Sequence, residues 1–163
     1  MEKQANTKKD FGYIWDIIDM PVLILVLYSL LELSFSITKY VSKVIPPTFF
    51  GFLLSIFAFG LIGYRTIKKK ENSTKAAKYG AYAGLIIGFI SAIIGIITYY
   101  FFPEKIAESI QTAVQAGADA STVNQFIRIG LFANFILSPA LNAGIGALIA
   151  WVSGAVFNSN KKR

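Results

Sequence analysis

One carboxylate, Glu32, and three hydrogen-bonding side chains at intervals of four, Asn134, Ser138 and Asn142, lie inside long apolar stretches of this 163-residue chain. An acidic or basic side chain at the centre of a bilayer costs about 2.5 to 3.5 kcal/mol on insertion scales, so Glu32 must be protonated, paired or facing a wet cavity. Two chemistries follow. Glu32 could bind a proton or a cation in a small transporter, or it could be a protonated acid bonded between helices. The second is preferred here, because a lone carboxylate with no second acid and no basic counterpart in the spans is thin support for ion coupling. Tyr28, one helical turn before Glu32, is a possible local partner, and Ser138 and Asn142 fall at comparable depth, which makes a Glu32–Asn142 contact geometrically reasonable.

Cysteine and histidine are both absent. Their absence excludes thiol nucleophiles, disulfides, zinc-finger clusters, histidine-ligated haem and the imidazole base of most hydrolytic triads. The glycines sit within apolar runs and form no phosphate-binding loop. No catalytic, cofactor-binding or metal-ligating residue is therefore assigned, and enzymatic activity is not expected.

The elements that must position Glu32 are helices. With 55% hydrophobic residues, only 15% charged and a mean hydropathy of +0.56, the chain reads as all-α: an integral membrane four-helix bundle with an N-terminal interfacial helix and an outer amphipathic helical hairpin. It forms a single membrane domain, 1–163, with spans at about 20–38, 48–65, 79–102 and 131–157. A basic inner loop occupies 65–78 and an amphipathic outer segment 103–130.

Charge orients this frame. A cytoplasmic N-terminus places Lys3, Lys8, Lys9, Arg65, Lys68, Lys69, Lys70, Lys75, Lys78, Lys161, Lys162 and Arg163 inside, twelve of the sixteen basic residues, and leaves Lys39, Lys43, Lys105 and Arg128 outside. Both termini are expected in the cytoplasm and the protein in the cell membrane. The charge of +7 is then mostly topogenic, and nucleic acid is not an expected partner. Arg65, Lys68, Lys69 and Lys70 could also touch anionic headgroups, although orientation alone accounts for them. Tyr40, Phe49, Phe50 and Tyr99 to Phe102 mark the outer interface, while Trp15, Tyr64, Tyr79 and Trp151 mark the inner one.

Local signals refine the ends. Phe11, Ile14, Trp15 and Ile18 share one face of a short helix ahead of the first span, which begins near Pro21 with Asp19 or Met20 as its cap. Ser73 or Thr74 is expected to cap the third helix. Outside, Ile106, Ile110, Ala113 and Val114 make an apolar stripe, Gly117 is a stop, and Thr122 with Gln125 has the spacing of a capping box. From Phe126 to Phe157 the chain is apolar for about 48 Å of helix, more than a hydrocarbon core of about 30 Å, so a break is expected near Pro139.

Two ridges of small residues repeat at intervals of four. Ala76, Gly80, Gly84, Gly88 and Ala92 run down the third helix; Asn134, Ser138, Asn142, Gly146, Ala150 and Gly154 run down the fourth. Their facing each other is the leading packing arrangement, with Gly80, Gly84, Gly88, Gly146 and Gly154 as the close-approach positions. The layout Gly80-x3-Gly84-x3-Gly88, then Phe102-Pro103-Glu104, an amphipathic segment, a proline-containing last span and the tail Lys161-Lys162-Arg163 resembles small four-helix integral membrane protein families of unknown function from bacteria and archaea. The resemblance covers about the second half of the chain and implies architecture only. The expected function is that of a structural, assembly or accessory subunit, with the lipid bilayer and a homo-oligomeric or other membrane-protein partner. The alternative is a small transporter or channel whose polar path uses Glu32 and Asn142.

Overall fold

The computed structural model describes residues 2–38 and 47–160. Lys39, Tyr40 and Lys43 of the expected outer turn, Lys161, Lys162 and Arg163 of the tail, and the side chains of Lys3, Lys8, Lys9, Phe11 and Lys105 lie outside the described residues. All the described elements are helices: α1 (Glu2–Thr38), α2 (Pro47–Lys68), α3 (Ser73–Phe101), α4 (Pro103–Gln115) and α5 (Ala120–Asn160). Four of them, α1, α2, α3 and α5, carry apolar stretches long enough to cross a bilayer, at Gly12–Ser34, Phe49–Lys68, Ser73–Phe101 and Ala120–Ser159.

Helix α1 corrects one expectation, because the short leading helix and the first span are a single helix with Pro21 inside it. A proline within a helix removes one backbone bond and orphans the carbonyl four residues earlier, here that of Ile17. Arg65 of α2 supplies the missing donor: its Nη1 lies 3.1 Å from the Ile17 oxygen and 2.6 Å from Asp19 Oδ1. With the orphaned carbonyl satisfied, the helix has no reason to end. Pro21 itself is fully buried.

Helix α5 joins the second outer helix to the fourth span in the same way, as one helix of 41 residues, or about 61 Å, through Pro139. It starts earlier than the Thr122–Gln125 spacing implied. Asp119 is the cap, its Oδ2 accepting from the Thr122 amide at 2.9 Å, from the Thr122 hydroxyl at 3.0 Å and from the Ser121 hydroxyl. Its carboxylate competes better for those donors than a threonine hydroxyl would. Likewise Asn72 caps α3, one residue ahead of the expected Ser73, by accepting from the Lys75 amide at 2.9 Å. The α2–α3 turn closes tightly, with Lys70 in the left-handed region at φ 62°.

The bundle is organised about the α3–α5 pair. A Cβ added to Gly80 would collide with the Gly146 carbonyl, one on Gly84 with the Asn142 backbone, and one on Gly88 with Pro139. Gly146 meets the Gly80 carbonyl and the Phe59 ring in return, whereas at Gly154 a Cβ would meet Ala76 at 3.2 Å, a tight contact but less severe than those at the other ridge glycines. Helix α2 then seats on α5 through Gly63, which abuts the Ala150 carbonyl and the Gly154 amide, and through Ser153, whose Oγ donates to the Gly60 oxygen at 2.7 Å. Helix α1 packs on α2 and α3, at the corner opposite α5. One apolar core ties the four together, built from Ile17, Ile18, Val22 and Leu25 of α1, Ala58, Phe59 and Ile62 of α2, Ala76, Tyr79, Ala83 and Ile87 of α3, and Ala150 of α5. All of it lies in the half of the bundle nearer the α2–α3 turn.

Gly84→Leu should separate α3 from α5 and lower stability by roughly 2 kcal/mol or more, whereas Gly144→Ala, whose Cβ would meet nothing within 4 Å, should be neutral; thermal unfolding in detergent followed by circular dichroism distinguishes them. At Asp119 the Ser121 and Thr122 hydrogen bonds hold the carboxyl below its ordinary range. The cap should therefore be fully formed above the unfolded pKa of about 3.9 and be lost as pH falls through the lower folded value, which amide exchange at residues 121–123 measures.

Candidate functional site

Beyond Leu25 the core gives way to a cleft. It has a volume of about 320 Å³ and is walled by all four long helices: Tyr28, Ser29 and Glu32 of α1, Gly51, Phe52 and Ser55 of α2, Ile87 and Ser91 of α3, and Asn142 of α5. A second cleft of about 300 Å³ adjoins it between α1 and α3, adding Leu33, Ile94, Gly95 and Thr98. The two share Ser29, Glu32 and Ser91, so Glu32 stands at their seam. Both are open to the exterior and neither is an enclosed void.

Local helix geometry decides what these walls can offer. Ser29 Oγ donates to the Leu25 carbonyl at 2.9 Å, Ser55 Oγ to the Gly51 carbonyl at 2.8 Å and Thr98 Oγ1 to the Ile94 carbonyl at 2.9 Å. Each hydroxyl thus commits its hydrogen to its own helix, and its lone pairs are what remain for a ligand. Asn142 Nδ2 is turned toward Ser138, donating to its carbonyl at 2.9 Å and its hydroxyl at 3.3 Å. With the Glu32 carboxylate added, and with no lysine or arginine in the walls, both clefts are rich in acceptors, and the Tyr28 and Ser91 hydroxyls are the groups there that can also donate. Such a lining favours a cation or a hydrogen-bond donor.

The expected polar residues are therefore only partly assembled. Glu32 and Asn142 line the same cleft, but among the described residues no hydrogen bond joins them. Ser138 stands behind Asn142 and fixes its amide. Asn134 is not in the wall; its Nδ2 lies 3.9 Å from where a Cβ on Gly95 would be, at the edge of the second cleft. Ser29, Ser55 and Ser91 were missed by sequence reasoning, although Ser29 precedes Glu32 by three residues and so shares its helix face. Tyr28 also packs on Gly51, where a Cβ would come 2.7 Å from Tyr28 Cε1. Among the described residues no group of three acidic side chains gathers as a metal site.

The basic turn is built differently. Arg65 is engaged by Ile17 and Asp19, and Lys69 pairs with Asp16 while its ammonium lies 4.7 Å from the centre of the Tyr13 ring. Lys75 pairs with Glu71 at 2.7 Å, and Tyr13 donates to Glu71 at 3.3 Å. Lys68 and Lys70 are exposed. Of the four residues expected to meet lipid headgroups, two are thus held by the acidic face of α1 and two point away from it.

Comparison with protein-family models, with curated proteins and with solved structures finds no match to this chain. Because Arg65 satisfies both a proline-orphaned carbonyl and a carboxylate, Arg65→Ala should destabilise the bundle by roughly 1–2 kcal/mol, tempered by the partial exposure of the pair. Combining it with Pro21→Ala, which restores the helical bond to Ile17, should recover part of the loss in denaturant or thermal unfolding.

Proposed function

We propose that this chain is a non-catalytic multi-pass protein of the cell membrane that takes a small cation into the Glu32 cleft and passes it across the bilayer. The observation that carries the reading is the acceptor-rich lining of that cleft, with one carboxylate at its seam and no lysine or arginine in its walls. Glu32 is exposed and lies two residues from the end of the apolar stretch Gly12–Ser34, where its charge can draw a cation into the cleft. The second support is asymmetry. The cleft lies on one side of the packed core, as a site reached from one face of a membrane and closed from the other would. The basic turn and both termini belong to the cytoplasmic side by the positive-inside rule, so the cleft faces outward. Lys68 and Lys70 are then the residues free to meet anionic headgroups.

A structural or accessory subunit, which the sequence alone favours, has less behind it. Both small-residue ridges are covered within the chain, and neither is left for a partner. What remains for that reading is α4, whose Ile106, Ile110 and Ala113 are half-buried and whose opposite face is exposed.

Flux into liposomes holding the purified chain tests the proposal. Cation- or proton-linked flux should fall at least about tenfold in Glu32→Gln and persist in Glu32→Asp, with helicity and melting temperature retained in both. Equal flux in the folded Glu32→Gln protein would overturn it. Labelling of Ser73→Cys from the cytoplasmic side only, and of Ser121→Cys from the outside only, checks the orientation.

A further inference from the structure

The chemistry of the walls narrows the cation further. A calcium or magnesium ion takes six or more oxygens converging at about 2.0–2.6 Å, usually with carboxylates among them, and this cleft has one carboxylate, with hydroxyls spread over separate helices. A space of about 320 Å³ is also far larger than one dehydrated metal ion and matches the lower range of organic-ligand pockets. Its apolar lining is substantial. Tyr28 and Phe52 bring aromatic rings to the first cleft, and Leu33 and Ile94 bring aliphatic groups to the second, on either side of Glu32.

Resting on the cation reading above, we infer that the ligand is an organic ammonium group, seated at Glu32 between the two clefts with its hydrocarbon parts against Tyr28, Phe52, Leu33 and Ile94. The carboxylate supplies the counter-charge. Aromatic faces attract such weakly hydrated cations, and the lone pairs of Ser29 and Ser55 suit the polarised hydrogens around an ammonium nitrogen. The same chemistry is carried by a free amine and by the headgroup of an aminophospholipid, and both clefts are open to the exterior, where either could enter.

The test uses the full chain in nanodiscs of phosphatidylglycerol, with radiolabelled tetraethylammonium as the probe. Binding should be saturable, weaker by about tenfold or more in Glu32→Gln, and weaker by about three- to fivefold in Gly51→Ala, whose new methyl displaces the Tyr28 ring while leaving Glu32 in place. Equimolar sodium or potassium should not displace it, and hexylammonium should. If sodium or potassium competes as well as hexylammonium, or if Glu32→Gln binds tetraethylammonium unchanged with its melting temperature intact, the organic-ammonium assignment fails. The broader cation reading stands or falls separately, on whether flux depends on Glu32. Adding phosphatidylethanolamine to the discs separates the sources: loss of tetraethylammonium binding assigns the site to the lipid headgroup, and undiminished binding assigns it to a free amine.

Discussion

The backbone-to-backbone approach of α3 and α5 is the constraint on which the rest of the bundle depends. Gly80, Gly84 and Gly88 leave no room for a side chain against Gly146, Asn142 and Pro139, so register and depth of the two helices are fixed together. Among apolar helices in an apolar solvent, hydrophobic burial gives little preference for one neighbour over another, and close van der Waals contact decides. Once α5 is fixed on α3, Gly63 and Ser153 set α2 against it, and the core can form between α2, α3 and the first half of α1. The position of Asn142 is inherited from this pair. Its backbone is the surface on which Gly84 rests, and its side chain emerges into the cleft.

How far each feature could be read in the sequence follows from the range of the interaction behind it. The ridges on α3 and α5 were legible because a helix turns every 3.6 residues, so small residues spaced by four declare a face without knowledge of the neighbour. The four apolar stretches were legible from composition. The continuity of α1 was not: Pro21 reads locally as a start signal, and only Arg65, 48 residues from Ile17, makes a continuous helix tolerable. The cap at Asp119 shows a smaller failure of the same kind, since Thr122 and Gln125 offered a plausible local pattern and a stronger acceptor stood three residues earlier.

The cleft divides along the same line. Glu32 announced itself, because a carboxylate among leucines has few reasons to be there. Ser29, Ser55 and Ser91 did not, since a serine that bonds its own helix is unremarkable in any apolar run. Their meaning lies in convergence from three helices onto one space, which depends on how α1, α2 and α3 pack together. Arg65 and Lys69 were legible as basic residues near a turn, but their engagement with Asp19 and Asp16 required α1 to extend past that turn.

Helix α1 is held unevenly along its length. Its stretch from Ile17 to Leu25 is held along one face, by Ile17, Ile18, Val22 and Leu25 in the core and by Arg65 at Pro21, while Leu23, Leu27, Leu30 and Leu31 are exposed. Beyond Leu25 the hold on the helix narrows to a seam where Tyr28 packs on Gly51 and Phe50, and Glu32 rides on this less tightly held arm. Any swing of that arm alters the width of the cleft and the distance from the carboxylate to Ser91 and Asn142 in a single motion. What occupies the cleft and where α1 stands are, by this construction, two readings of one coordinate.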